Sequence, residues 1–305
     1  MKILVTGGAG FIASNLVDAL IDNGHSVVII DNLSTGKKEN LNPKAKFYNM
    51  DVTDQKILAV FEKEKPEVVD HHAAQIDVRK SVSDPGFDAK VNILGVINIL
   101  EACRKTGVRK LINVSSGGVV YKEGTPVPIK EDAQKGPISG YGISKFTAEL
   151  YVEMFSRLHS LRYTTLRYSN VYGIRQDPLG EAGVIAIFSE RLLQGKECSI
   201  FGDGKQTRDY VYVKDVVAAN ILAIEKGDNE AFNIGTGKET TVNELFAMLA
   251  KVTGKSVKPS YQPARPGELL RSCLETSKAK KLLGWKPAYS LEEGLKETVA
   301  WVKSL

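Results

Sequence analysis

Short apolar runs, each separated from the next by a longer stretch with helical patterning, constrain this chain more than any other feature. They are Ile3-Leu4-Val5, Val27-Val28-Ile29-Ile30, Phe47-Tyr48, Val68-Val69, Leu111-Ile112-Asn113-Val114 and Thr164-Thr165-Leu166. The runs do not alternate apolar with polar, so both faces of each strand must be covered. A parallel sheet with helices on each side meets that demand. The expected fold is therefore α/β, a doubly wound parallel sheet of the Rossmann type. After about residue 170 the rhythm changes. Loops lengthen and become Gly/Asp-rich, as in Phe201-Gly202-Asp203-Gly204, and irregular segments join helix patterns near 184–194, 243–252 and 290–304. This divides the chain into a first domain over 1–170 and a smaller C-terminal α/β domain over 171–305, with later segments crossing back.

Bulk properties exclude several function classes. A chain of 305 residues with 43% hydrophobic and 25% charged residues can bury a sizeable core. The net charge of +5 is spread along the sequence. That argues against a nucleic-acid-binding tail and for a mildly basic cleft that takes an anionic small molecule. Cys103, Cys198 and Cys273 are far apart and form no CxxC pair. A disulfide framework or structural zinc is not expected, and a reducing cytoplasmic setting is. The N-terminal apolar stretch runs straight into a glycine turn and is too short for a signal peptide. No run approaches the roughly 20 apolar residues that span a bilayer.

Thr6-Gly7-Gly8-Ala9-Gly10-Phe11-Ile12-Ala13 follows the first strand pattern and opens a helix pattern. Gly7 permits the sharp turn, and Gly8 and Gly10 let backbone approach a pyrophosphate at a positive helix N-terminus. Ala13 stands where the third glycine of the dinucleotide fingerprint falls, a helix–strand packing position. Asp31 ends the second strand about twenty residues on, the expected place for a ribose-binding acid. A carboxylate there accepts from the ribose hydroxyls and repels a 2′-phosphate, so NAD is favoured over NADP. By their order in such a fold, Asp51 and Val52 flank the adenine, and Ala73, Ala74 and Gln75 line the nicotinamide side. His71-His72 has no third ligand in view and reads as strand-end packing, so no metal is expected.

Tyr141 and Lys145 stand four apart at the start of a helix-patterned run and so share one helix face. A phenol titrates near ~10 and is a poor base at neutral pH. An adjacent ammonium and a nicotinamide cation both favour its phenolate. The pair could then take a proton from a substrate hydroxyl while hydride leaves to the nicotinamide.

With these residues in place, the sequence resembles the extended short-chain dehydrogenase/reductase family, and within it the UDP-glucose 4-epimerase group. The resemblance covers nearly the whole chain. It is carried by Thr6–Ile12, by Asp31-Asn32-Leu33-Ser34-Thr35-Gly36, by Asp51-Val52, by His72-Ala73-Ala74-Gln75, by Asn92 and by Tyr141–Lys145. Leu166–Gly173, Gly202–Tyr212, Arg265-Pro266-Gly267-Glu268 and Leu283–Pro287 extend it. It implies a cofactor site of Gly7, Gly10, Phe11, Ile12, Asp31, Asn32, Ser34, Thr35, Gly36, Asp51, Val52, Ala73, Ala74, Gln75 and Asn92, together with Tyr141 as base and Lys145 on the nicotinamide ribose. Asn92 would brace the helix that carries the active pair.

A serine or threonine normally assists from the end of the fifth strand, and here the sequence departs from the pattern. The usual position is Gly117, with Ser116 one residue earlier. Either Ser116 reaches in through a shifted turn, or Tyr141 works with little help from a hydroxyl. Relatives that dehydrate or decarboxylate carry acids after that strand, where this chain has Gly117-Gly118. Oxidation at one carbon and return of the same hydride, an epimerisation at C4, is the outcome implied. For a UDP-hexose substrate the resemblance implies Ser116, Gly117, Tyr141, Asn170, Phe201, Arg208, Arg265, Glu268 and Ser272. Arg208 and Arg265 are suited to a diphosphate because guanidinium forks match phosphate oxygens. Small Ser272, beside Cys273, would leave room for an N-acetyl group at C2. The resemblance also implies a homodimer paired through the helix patterns at 86–105 and 141–158. Rival readings are another nucleotide-sugar epimerase, a decarboxylase or dehydratase of the same family, and a non-catalytic NAD-binding protein.

Overall fold

A computed structural model describes residues 1–178, 183–264 and 269–305. The first half alternates strand and helix: β1 (Lys2–Thr6), α1 (Phe11–Asp22), β2 (Ser26–Asp31), β3 (Lys46–Asn49), α2 (Ile57–Glu64) and β4 (Val68–His71). Two short helices, α3 (Val78–Ser83) and α4 (Pro85–Ala89), lead through a π-helical turn at Lys90–Leu94 into α5 (Gly95–Thr106). Then come β5 (Lys110–Ser116), the long α6 (Gly140–His159), β6 (Arg162–Tyr168) and β7 (Asn170–Tyr172). The remainder holds α7 (Val184–Leu193), β8 (Ser199–Phe201), β9 (Thr207–Arg208), β10 (Tyr210–Tyr212), α8 (Val213–Ala223) and β11 (Glu230–Ile234). It closes with β12 (Thr240–Thr241), α9 (Val242–Thr253), β13 (Ser260–Gln262) and α10 (Leu291–Lys303).

The main sheet has seven parallel strands in the order β11-β6-β5-β4-β1-β2-β3. Strand periodicity explains why its sequences are apolar throughout. Ile3, Val5, Val27 and Ile29 face a core shared with α1 and α8. Leu4, Val28, Ile30 and Val69 face a second core under α2, α5 and α6. The central strands are therefore covered on both faces, as the non-alternating runs demand. Strand order reverses at β1, between β2 on one side and β4 on the other, which opens a crevice at the carboxyl ends of these strands.

β11 is not visible in the sequence pattern. Its run, Glu230-Ala231-Phe232-Asn233-Ile234, carries a buried Asn233, and it returns from the second half of the chain to pair with β6. A separate core beneath α7, α9 and α10 includes Ile185, Phe188, Leu192, Leu245, Leu249 and Leu295. Thr241 and Ser290 open α9 and α10 with reciprocal capping boxes to Glu244 and Glu293. Trp285, buried, donates its indole N–H to the Asp215 carbonyl at 2.8 Å, which fixes the Leu283–Pro287 segment to the first turn of α8. Among the described residues, no helix is long and apolar enough to cross a membrane.

Candidate active site

The glycine turn and the loop after β4 meet at the strand reversal. Gly7 adopts φ +70°, and a Cβ there would come within 2.8 Å of the Ala73 nitrogen. Only glycine fits both the conformation and the close approach. Gly10 caps α1 with no side-chain hydrogen bond, and the first turn carries no acidic residue. The N–H groups of that turn thus face the crevice without a competing carboxylate, the requirement for an anion. Gly7, Gly10, Phe11 and Ile12 are all partly exposed there. Gly8 departs from the expectation that it approaches the pyrophosphate. It is buried, and a Cβ would stand 2.7 Å from Ile29 Cγ2, so its missing side chain serves packing on β2.

Asp31 ends β2 and is buried. Its Oδ2 accepts from the Ala9 N–H at 2.9 Å and its Oδ1 from the Leu33 N–H at 2.7 Å. The carboxylate thereby locks the glycine turn to the ribose loop, where Asn32, Ser34 and Thr35 are at least partly exposed and a Cβ on Gly36 would stand 2.8 Å from Ala9 Cβ. Asn32 donates to Asp51 at 2.7 Å. Burial opposes ionisation of Asp51, but hydrogen bonds from Thr53 and Asn32 outweigh it and hold this carboxyl below its ordinary range. The Val52 side chain is buried, facing Gly95 of α5.

Thr6 sits at the base of the crevice. Its hydroxyl accepts from the Ala73 N–H at 3.1 Å and bonds His71 Nδ1 at 2.8 Å. Burial lowers His71 to about 3, so this imidazole is neutral. His72 Nε2 lies 2.9 Å from Asp70. The Gln75 side chain turns inward and donates to the Asp77 carbonyl and to Asp88 Oδ1, both at 2.9 Å. Asn92, in the π-helical turn, accepts from the Gln75 N–H and donates to the Gln75 carbonyl, Asp88 and Ser144. It is a brace between the loop after β4 and the helix of the active pair.

Ser139 caps α6 through the Gly142 N–H at 3.1 Å, which sets Tyr141 in the first turn. Lys145 is buried, donates to the Val114 carbonyl at 3.0 Å and lies 6.0 Å from the centre of the Tyr141 ring. Burial pushes the Tyr141 phenol well above its ordinary value, with the Asp88 charge adding to the rise and a hydrogen bond with Ser116 opposing it. Burial brings Lys145 down to about 8, against the pull of Asp88 and Glu149. Of the two possibilities left by the sequence, the lowering influence of Ser116 on the Tyr141 phenol favours the one in which Ser116 reaches in. Gly117 cannot carry the usual hydroxyl without rearrangement. A Cβ there would stand 2.5 Å from Leu274 Cδ1, and Leu274 is fully buried.

Leu274 links this end of the crevice to the other. Its N–H donates to Asp209 Oδ2 at 3.2 Å, and Asp209 also accepts from Thr236 and Gly237. Asp209 joins β9 to β10, which pairs with β7 so that Tyr210 lies opposite Asn170. Arg208 donates to the Thr207 and Leu269 carbonyls at 2.8 and 2.7 Å. Gln206 donates to the Phe201 carbonyl at 2.8 Å. Asn170, Phe201 and Arg208 thus belong to one hydrogen-bonded assembly. Ser272 is buried two residues before Leu274. Arg265 and Glu268 lie outside the described residues.

The sequence profile of the NAD dependent epimerase/dehydratase family matches residues 3–235. The chain belongs to that family. UDP-glucose 4-epimerase of the hyperthermophile Thermotoga maritima, solved with UDP-glucose, is 55% identical at a TM-score of 0.98, covering 100% of this chain and 99% of that one. UDP-glucose 4-epimerase of Thermus thermophilus, solved with NAD, is 42% identical at a TM-score of 0.94, covering 99% of each chain. A putative UDP-glucose 4-epimerase of Methanocaldococcus jannaschii is 50% identical over 302 residues, 99% of this chain and 98% of that protein. This member of the family therefore falls within the extended short-chain dehydrogenase/reductases, in the UDP-glucose 4-epimerase group. The residues at the strand reversal suit NAD: a turn at Gly7 that a Cβ would fill, an uncapped helix N-terminus at Gly10, and the Asp31 carboxylate at the end of β2.

Several residues that shape the site carry no signal of their own in the sequence. Glu149, one turn past Lys145, is buried in an ion pair with Arg167 at 2.6 Å and accepts from Ser115 at 2.5 Å. Arg167 also donates to Tyr121 and to the Glu131 carbonyl, both at 3.1 Å. Arg167 and Asp209 both fall inside stretches that carry the family resemblance, yet nothing in sequence names their partners. Asp88 falls in the helix pattern at 86–105, which marks no partner for it, and Leu274 lies outside every stretch that carries the resemblance.

Proposed function

We propose that this protein interconverts the C4 epimers of a UDP-hexose, UDP-glucose and UDP-galactose, through a transient 4-keto sugar. The observation that carries the reading is the cluster of Tyr141, Lys145 and Ser116 at the mouth of the strand reversal, with Gly117-Gly118 beside it in place of a second acid. Bound in the crevice, NAD would supply the acceptor and donor of the C4 hydride, held by the turn at Gly7–Ile12, by Asp31 and the loop at Asn32–Gly36, and by Lys145. Tyr141 takes the O4 proton as the C4 hydride departs and gives it back when hydride returns to the opposite face. The Lys145 ammonium and the Ser116 hydroxyl favour the phenolate in the first half of this cycle. Atoms and electrons balance over the turnover, so mass is unchanged. Arg208 and Asn170, with Arg265, would grip the diphosphate, Phe201 would frame the uracil, and Glu268 would be a further substrate-binding residue.

Ser272 is small, which supports acceptance of N-acetylated UDP-hexoses. A homodimer is supported by the apolar stripe left on the outer face of α6 and its neighbour: Leu94, Ile143, Leu150 and Leu158 are at least half exposed. The three cysteines are buried and unbridged, which supports work in a reducing, cytoplasmic setting. The deciding experiment incubates purified protein with UDP-galactose, UDP-glucose and their N-acetyl forms, with and without added NAD, and resolves the products by stereochemistry and mass. Interconversion at constant mass is expected. Loss of water or carbon dioxide would overturn the reading.

A further inference from the structure

Asp88 is a buried carboxylate, 1% exposed, in the short helix α4. It accepts from two neutral amides, Gln75 Nε2 at 2.9 Å and Asn92 Nδ2 at 3.0 Å, both on Oδ1. Nearby Glu149 is met by the Arg167 guanidinium, so its charge is largely spent. Neutral amides solvate a carboxylate but do not cancel its field, and that field acts strongly in a dry interior. α4 and the π-helical turn pack on α6. Asn92 also reaches Ser144, which neighbours Lys145 and donates to the Tyr141 carbonyl at 3.0 Å. The buried anion and the buried cation thus share one packed layer, and each would be costly without a counter-charge.

We propose that Asp88 is a positioning residue that supplies the counter-charge keeping the Lys145 ammonium protonated inside the site, while its amide bonds hold the Gln75 loop and Asn92 against the active helix. This rests on the reading of Tyr141 and Lys145 as the active pair. The carboxylates whose charge acts on Lys145 are Asp88 from α4 and Glu149 from α6; the uncharged groups near it are the Tyr141 ring, 6.0 Å away, and the neutral His71 of β4. The other charged groups on the neighbouring elements are Asp77, Arg79, Lys80 and Asp84 near α3, and Lys90 in the π-helical turn. All are partly or fully exposed, with Arg79 paired to Asp77 and Lys80 to Asp84. With burial already driving Lys145 down to about 8, loss of one of two supporting carboxylates would leave about half of it neutral near pH 7. The Asp88 charge raises the proton affinity of Tyr141 as well, so its removal moves both groups in the same direction.

The test compares wild type, Asp88→Asn and Asp88→Glu. Asparagine keeps the shape and an acceptor oxygen but drops the charge. Two readouts are taken: the pH profile of kcat for UDP-galactose, and the titration of Lys145 followed by NMR in protein labelled with 13Cε-lysine, assigned through Lys145→Arg. Asp88→Asn should move the Lys145 titration and the alkaline limb down by about one pH unit, with KM changed less than about threefold, and Asp88→Glu should restore both. A purely structural role would lower kcat with the limb unmoved. An unmoved Lys145 titration in Asp88→Asn overturns the proposal. Wild-type protein that fails to turn over UDP-galactose would defeat the functional reading instead, and the titration would still decide the role of Asp88.

Discussion

Among single residues, the proposed cycle places its chemistry on Tyr141. Its phenol is the only proton carrier the proposed cycle uses, and burial alone would keep it neutral. Tyr141→Phe removes the oxygen and leaves the ring, so kcat should fall by roughly 10²–10⁴-fold. NAD binding measured by fluorescence quenching should stay within a few-fold of wild type, because Lys145 and the glycine turn are untouched. Retained turnover would defeat the relay. Gly117 makes a second prediction from steric grounds. Introducing the hydroxyl that the family resemblance implies there, Gly117→Ser, would drive a Cβ into buried Leu274 at 2.5 Å. Overpacking of this kind costs about 1–3 kcal/mol, so the variant should unfold at lower denaturant and gain no activity. A stable, faster Gly117→Ser would mean that Ser116 is dispensable.

Between elements, what can be read from sequence depends on how far apart the partners lie. The turn at Gly7–Gly10 is legible because strand, turn and helix are contiguous and only glycine suits that backbone. Tyr141 and Lys145 are legible because helical spacing places them on one face. The clamp between α6 and β6 is not. Glu149 pairs with Arg167, which reaches on to Tyr121, 46 residues away in sequence, and no local pattern marks either charge as buried. Likewise β11 looks irregular because buried Asn233 breaks its run, and its place is set by hydrogen bonds with Tyr121 and Glu131 from another loop. The clamp yields a clear expectation. Glu149→Gln keeps the shape but leaves the Arg167 charge uncompensated inside the protein, which costs about 3–5 kcal/mol. The double variant Glu149→Leu with Arg167→Met, which removes both charges, should be less destabilised in the same denaturant titration. Equal or greater loss in the double variant would show that the pair does not act as a unit.

Over the whole molecule, one continuous path joins the parts of the crevice. It runs from Gly7 against Ala73, through Gln75 and Asn92 to Ser144 and Tyr141, across Ser116 and Gly117 to Leu274, and on to Asp209 beside Arg208. The two ends of the crevice, which the proposed function gives to cofactor and sugar nucleotide, are therefore held in one frame, and α6 contributes to both the path and the outer surface. On that outer surface its residues follow the helix period. Ile143, Leu150, Met154 and Leu158 lie at spacings of seven and four, and Leu94 flanks them from the neighbouring turn. A contiguous apolar stripe of this kind is rarely left to water in a soluble protein. Pairing the stripe with its copy about a two-fold axis would cover it and would brace α6 from outside. Leu150→Glu together with Leu158→Glu places charges in the middle of that face while leaving the inward face, with Tyr141, Lys145 and Glu149, unchanged. Sedimentation velocity at micromolar concentration should then report a monomer where wild type reports a dimer. If both proteins sediment alike, the stripe is not the subunit interface, and α6 must be held in place by its own packing on β5 and β6 alone.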